Sequence, residues 1–265
     1  MPPDATEKDT AYLDRAGPVG TIHLNRPDKC NALNSEMWAK LIDVVDAADA
    51  DPAIKVVVLT GVGGTFAAGQ DIEEMAKGLT DPAWPEAALD VIYRSQKRLH
   101  LSVKPTIAKI RGACIGGGNG IALCCDLRFA DTTARFGITP GKLGLVYPAL
   151  DTKRLVDVVG PARAKDMLFT GRVLDAEEAM SFGMIDRLVA PADLDATVAA
   201  YAASICAASQ HSARNTKRMV QAILDGLAEE TPETRKVFTE SFKGDDFREG
   251  QAAFMAKRKP QFKFS

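Results

Sequence analysis

The sequence has no CxxC pair, and its five cysteines (Cys30, Cys114, Cys124, Cys125 and Cys206) are odd in number. A full disulfide framework is therefore excluded, and the adjacent Cys124 and Cys125 read as small buried residues of a cytosolic protein. Histidine is equally scarce. His23, His100 and His211 are scattered, and no HExxH or Cys/His cluster offers a metal site. No apolar run approaches the ~18 residues that a membrane span needs. The first nine residues, MPPDATEKD, lack the basic and apolar regions of a secretory signal, so a cytoplasmic location is expected. Charge of one sign is missing too. The formal net charge is −2 and the pI about 6.0, which gives no footing for a polyanion. The nearest basic group, Arg94, Lys97 and Arg98, is too small a patch for nucleic acid.

What remains is ordinary globular material. The chain has 265 residues, 46% of them hydrophobic and 26% charged. That is enough for one large domain, or a domain with a helical appendage. Residues 10–14 and 20–24 flank the turn signal Gly17-Pro18 and read as a hairpin. Trp38, Leu41, Ile42 and Val45 recur at helical spacing, predicting a helix over 35–50 capped by Asn34 or Ser35. IKVVVLTG (54–61) is a buried strand. Asp71 and Glu74 have capping-box spacing, so a helix should start near Ile72. A helix over 86–101, strands over 105–112, 127–131 and 185–189, and further helices beyond 191 complete the pattern. Strand, glycine-rich turn and helix thus occur twice, which argues for an α/β sheet with crossovers.

Both glycine-rich turns end at a helix N-terminus, where backbone N–H groups lack partners and the helix dipole is positive. One turn, GTFAAGQD (64–71), presents the N–H of Gln70; the other, CIGGGNG (114–120), presents those of Gly117 and Gly118. If they converge they form an oxyanion hole, and glycine at 116–118 lets a ligand approach the backbone. Neither turn has the G-x-G-x-x-G spacing or the G-x-x-x-x-G-K-[ST] of nucleotide sites. Alone, each would be an ordinary connection.

They are not alone. LNRPDKCNALN (24–34), GTFAAGQDIEEM (64–75), KPTIAKIRGACIGGGNGIALCCDLRFAD (104–131), FGITPGKLGL, LFTGRVLDAEEAMSFGMIDRLV and AFMAKRKPQF follow one another in order. Together they resemble the crotonase (enoyl-CoA hydratase/isomerase) superfamily over most of the chain. The resemblance implies an α/β spiral of repeated ββα units over 1–190 and a helical C-terminal trimerisation region over 191–265. It implies trimers or dimers of trimers, no nucleic-acid partner, and a coenzyme A thioester as substrate with no separate cofactor. It places the thioester oxygen between the N–H groups of Gln70 and Gly117. The CoA contacts it implies fall on Lys29 and Ala32, on Ala68, Gly69, Asp71 and Ile72, and on Phe254 and Lys257.

The departures are as informative. Hydratases of this superfamily use two glutamates, and the matching positions here are Gly120 and Pro140. Neither can transfer a proton, and each such group contributes about 10²–10⁴ in rate. Asp126, Glu73, Glu74 and Asp151 are the carboxylates near enough in sequence to replace them. Asp151, at a helix start, is the best placed, with an N-cap role as the plainer reading. ITPGKLGLVYP (138–148) also resembles the methylmalonyl-CoA decarboxylase branch, with Thr139 and Tyr147 at its spacings. Loss of CO₂ generates an enolate without a base. Tyr147 either serves that chemistry or packs against an acyl pocket wall. Three readings follow: a hydratase/isomerase-family lyase of fatty acid metabolism, a malonyl-type-CoA decarboxylase, and a non-catalytic acyl-CoA-binding paralogue. Trp84 and residues 78–86 are expected to form a variable loop near the acyl end.

Overall fold

The computed structural model describes residues 9–263, so residues 1–8, where a leader was sought, lie outside it. The hairpin forms as expected from β1 (Ala11–Ala16) and β2 (Val19–Leu24), antiparallel across Gly17. From β2 the chain crosses through α1 (Ser35–Ala50) to β3 (Val56–Gly61), which pairs parallel to β2. Asn34 caps α1, its side chain accepting from the N–H of Met37. Next come α2 (Ile72–Gly78), α3 (Trp84–His100) and β4 (Thr106–Ile110). Short β5 (Ala113–Ile115), α4 (Gly117–Leu123), β6 (Leu127–Asp131) and β7 (Arg135–Gly137) follow. Beyond lie α5 (Ala149–Val159), α6 (Pro161–Thr170), β8 (Val173–Leu174), α7 (Ala176–Phe182) and β9 (Arg187–Val189). The chain then continues through α8 (Leu194–Ala207), α9 (Gln210–Leu224), α10 (Pro232–Ser241) and α11 (Asp245–Met255).

The main sheet has the order β1-β2-β3-β4-β6-β9, parallel except for the hairpin. Strand periodicity divides β3 between two cores. Val57 and Leu59 join Ile22, Leu24 and the α1 residues Trp38, Leu41 and Val45 on one face. Val56 and Val58 join Ile107 and Phe129 on the other, closed by Leu194, Val198 and Ala202 of α8. The first helix past 191 therefore packs on the sheet itself.

The expected strand 105–112 forms as β4, and a further strand that the sequence did not reveal, β5, follows just beyond it in another sheet. Gly112 adopts φ +56, and a Cβ there would sit 2.8 Å from the carbonyl oxygen of Gly64. The chain turns at that glycine, and β5 leaves the main sheet for a small one, β5-β7-β8. β7 and β8 are too short to show periodicity, so the sequence did not reveal them. The expected loop 78–86 is also shorter. Trp84 opens α3, and its indole lies so close over Gly78 that a Cβ there would fall 2.2 Å from the ring. The capping box at α2 forms by half. Asp71 accepts from the N–H groups of Glu73 and Glu74, while the Glu74 carboxylate turns away to the N–H of Ser35.

Candidate active site

The two glycine-rich loops are stitched side by side. Ala67 donates to Ala113 O and accepts from the N–H of Ile115, while Phe66 donates to Arg111 O. On the far side of the first loop, Leu33 donates to Gly69 O at 2.7 Å and accepts from Asp71 N–H at 2.9 Å. In an extended segment successive groups face opposite ways. With Gly69 O and Asp71 N–H committed to Leu33, the N–H of Gln70 is turned the other way, toward α4. There Gly117 is the first helical residue, so its N–H has no partner in the helix. A Cβ built on Gly117 lies 3.8 Å from the Gln70 nitrogen, and neither N–H has a protein acceptor among the described residues.

Glycine is required for this approach. A Cβ at Gly118 would lie 2.4 Å from Ala67 O, and Gly116 and Gly69 have φ of +52 and +108. Asn31 fixes the first loop by donating to Val62 O and Thr65 O. Trp38 Nε1 donates to Gln70 Oε1 at 3.0 Å, which fixes that side chain against the indole. The wall beside Gly117 is Leu33 and Trp38. Two convergent donors over an apolar wall are suited to hold an oxygen that gains negative charge.

One turn along α4, the space beside Gly120 is not empty. A Cβ there would meet Gln96 Nε2 at 2.7 Å, Asp151 Oδ1 at 3.3 Å and the Tyr147 hydroxyl at 3.3 Å. Asp151 is not an N-cap. Pro148 holds that position, and Asp151 projects inward from the first turn of α5, only 3% exposed. Arg154 Nη1 donates to Asp151 Oδ1 and to Gln96 Oε1, both at 3.2 Å. Burial pushes the Asp151 carboxyl above its ordinary range, against the pull of Arg154 and Gln96. Tyr147 is buried at 8% exposure and donates to Gly116 O at 3.3 Å. Burial, then the nearby Asp151, raises its phenol well above the usual value. Both hydroxyl and carboxyl thus face the floor of the first α4 turn.

Of the other sequence candidates, Thr139 is half-buried just before the turn at Pro140. Lys29 is exposed and paired with Glu73 at 3.2 Å. Ala32 sends its carbonyl to Arg26, and exposed Ala68 donates to Cys30 O. Asp71 caps α2 and pairs with Arg26 at 2.8 Å, so its carboxylate is occupied. Exposed Ile72 opens α2 next to it. Phe254 is 83% exposed on α11, and Lys257 follows with φ +50. Asp126 is structural: it accepts from Thr106 and pairs with Lys217. The cations on α3 are occupied as well. Arg94 pairs with Asp90, Arg98 with Asp46 and Asp49, and Lys97 lies over the ring of Tyr93.

Gln96 and Arg154 were not foreseen. The signal for Gln96 was present, since it falls between Ile92 and Leu99 on the inward face of α3, a slot where an amide is out of pattern. Among the described residues no group of His, Cys, Asp and Glu is arranged to hold a metal ion, and no helix is long and apolar enough to cross a membrane.

A family profile described as enoyl-CoA hydratase/isomerase matches residues 14–264. The chain belongs to the enoyl-CoA hydratase/isomerase family. It is 37% identical over 255 residues to a protein named probable enoyl-CoA hydratase of Mycobacterium tuberculosis, covering 96% of this chain and 98% of the relative. It is 32% identical over 256 residues to crotonyl-CoA hydratase of Syntrophomonas wolfei, covering 94% and 96%. A solved enoyl-CoA hydratase/isomerase family protein from Hyphomonas neptunium superimposes with a TM-score of 0.93 at 44% identity, over 96% of this chain and 98% of that one. In this chain Gln96, Tyr147 and Asp151 pack against the bare α-carbon of Gly120, with Arg154 bridging Gln96 and Asp151 behind them.

Proposed function

We propose that this enoyl-CoA hydratase/isomerase family member binds an acyl-CoA thioester with its carbonyl oxygen between the N–H groups of Gln70 and Gly117. There it stabilises the thioester enolate. The observation that carries this is the convergence of two unpartnered N–H groups beside Leu33 and Trp38. Donors fixed before charge develops favour the enolate over the neutral ester, each by roughly 10²–10³ in rate. Lys29, Ala32, Ala68, Gly69, Asp71 and Ile72 are the proposed CoA-facing residues. The Asp71 carboxylate is engaged with Arg26 and is not itself offered to the CoA. Phe254 and Lys257 are proposed to meet the CoA moiety, Lys257 as a point charge on a phosphate.

The reaction is proposed to be a lyase or proton-shift reaction of the enolate, with no cofactor beyond the CoA of the substrate. A second reading, decarboxylation of a malonyl-type CoA as in the methylmalonyl-CoA decarboxylase branch, draws support from the buried Tyr147 hydroxyl beside the hole. Thr139 would then face the leaving carboxylate. Assembly as a trimer or a dimer of trimers through 191–265, with 1–190 as the core, is proposed from the apolar side chains left exposed there. Phe238, Phe242 and Phe247 form an edge-to-face series with centroids 5.1–5.2 Å apart. A cytoplasmic location completes the proposal.

Incubation with crotonyl-CoA and methylmalonyl-CoA in separate reactions, with products followed by mass, tests it. Water addition supports the hydratase reading, and CO₂ loss supports the decarboxylase one. Tight binding of CoA esters without turnover of a broad acyl-CoA panel would leave the non-catalytic paralogue.

A further inference from the structure

We infer that Asp151 is the catalytic acid-base of this site, carrying to the enolate from α5 the proton that relatives carry from α4, with Gln96 and Arg154 as its positioning residues. This rests on the enolate reading above. Gly117 and Gly120 lie three residues apart on α4, so they share a face of the helix, about 4.5 Å apart along its axis. The Gln70 nitrogen lies 3.8 Å from the Cβ position of Gly117, and Asp151 Oδ1 lies 3.3 Å from that of Gly120. A glutamate on α4 would start its side chain at that second point. Here the carboxylate arrives at the same place from the opposite side, and the missing side chain is what leaves room for it.

The carboxylate is held rather than loose. Arg154 bridges Asp151 and Gln96 at 3.2 Å each, and Gln96 Nε2 stands at the Gly120 wall. A cavity of about 350 Å³ lies between α3 and α5, lined by Leu89, Ile92, Tyr93 and Leu150 with Gln96 and Asp151 among its polar groups. That volume and lining suit a short acyl chain. The chain would then run past the carboxylate that moves the proton. The titratable groups facing Asp151 are Arg154 on its own helix, Tyr147 ahead of it and Cys124 at the end of α4. α3 contributes neutral Gln96, with Glu86 and Asp90 on the same cavity and His100 directed at Arg154.

The step balances without a co-reactant other than water. The Asp151 carboxylate takes the α-proton of an acyl-CoA, so a C–H bond breaks and an O–H bond forms. The electron pair moves into the Cα–C bond and onto the thioester oxygen, where Gln70 and Gly117 hold it. Return of a deuteron from Asp151, exchanged with D₂O, regenerates the thioester labelled at Cα.

Exchange of the α-protons of butyryl-CoA in D₂O, followed by mass, reads this step alone. The wild-type enzyme should exchange, and Asp151→Asn should lose at least about 10²-fold while still donating an amide to the site. Asp151→Glu should recover part of the rate. The wild-type rate should fall on acidification with a midpoint above the ordinary aspartate value near 4, because burial raises this carboxyl. That pH profile needs no variant to fold. Gly117→Pro places proline at the first helical position, where it is tolerated, and removes the N–H. If Gly117→Pro is inactive while Asp151→Asn exchanges at the wild-type rate, the Asp151 assignment is wrong and the oxyanion site stands. If both exchange like the wild type, or the wild type does not exchange at all, the enolate reading itself falls. A flat profile down to pH 4 would also overturn the role of Asp151.

Discussion

Gly120→Glu places a carboxylate on α4 facing Asp151, and the structure predicts that the fold will resist it. Three contributions can be set against each other. Replacing a helical glycine is favourable by up to about 1 kcal/mol. The new Cβ lies 2.7 Å from Gln96 Nε2, the free end of a flexible side chain, so Gln96 swings away and gives up its bond to Arg154. A hydrogen bond to a charged group is worth about 1.5–3 kcal/mol. The third contribution is repulsion. Asp151 Oδ1 is 3.3 Å from the Cβ position, which brings the two carboxylates to within about 4 Å, or about 4 kcal/mol at an effective dielectric of 20. Arg154 offsets part of that.

Gly120→Gln has the same shape and the same clash without the charge. At pH 8 and fixed protein concentration, Gly120→Glu should unfold in urea about 2–4 kcal/mol more readily than Gly120→Gln. The dependence on pH has a definite sign. The introduced glutamate has a folded pKa above its unfolded value, so the folded state binds its proton first as pH falls. The penalty is complete above the folded pKa and disappears by about pH 4, the unfolded value. The double variant Gly120→Glu/Asp151→Asn should match Gly120→Gln at pH 8. Equal stability of the two single variants at pH 8 would refute the reasoning, because it would mean that Asp151 does not present a charge to this space.

Two further outcomes are expected. Gly118→Ala puts a Cβ 2.4 Å from the backbone oxygen of Ala67, where neither partner can rotate away, so the loops must part. It should lower the melting temperature by several degrees and abolish acyl-CoA turnover, whereas Gly17→Ala, whose Cβ meets nothing within 4 Å, should lose only the modest cost of its φ of +60. Iodoacetamide at pH 8 should label exposed Cys30 first and half-buried Cys206 more slowly. Cys114, Cys124 and Cys125 should stay unlabelled until urea unfolds the chain, since burial raises all three thiols, that of Cys125 to about 12. Rapid alkylation of any of the three in the native protein would contradict the packing around α4.

The elements that the sequence made legible are those in which local chemistry and tertiary packing agree. Asn34 caps α1 and the hairpin closes on Gly17-Pro18 because each signal is satisfied by atoms a few residues away. The run 54–61 is buried on both faces, as its unbroken apolar composition requires, and only its first two residues fall outside the strand. The failures lie where a distant atom decides. Nothing near Gly112 in sequence announces that Gly64 O will crowd it and that a second short strand, β5, will start just beyond in another sheet. Glu74 has the spacing to close its capping box, but the N–H of Ser35, 39 residues away, takes its carboxylate. Asp151 was read as a cap because helix starts favour aspartate, yet its partners are Arg154 one turn on and Gln96 from another helix.

The same distinction explains why the two glycine-rich turns were legible in the sequence as places where backbone N–H groups are exposed, while no side chain for proton transfer could be fixed. The proposed hole would use backbone N–H groups, and a backbone donor is presented by loop geometry in which glycines leave a visible mark. A side-chain acid has no such record. Any element that reaches the right point in space can supply it, and α4 and α5 both reach the space beside Gly120. Absence of the glutamate at 120 therefore does not imply absence of the acid. It implies that the position must stay small, because Gln96, Tyr147 and Asp151 fill from three directions the volume that one side chain would have occupied. On this account Gly120 and Asp151 are a pair whose identities depend on each other, and Gly120→Glu and Asp151→Asn should be strongly non-additive in stability. Additive effects would separate the glycine from the carboxylate and leave the bare α-carbon of Gly120 without a physical cause.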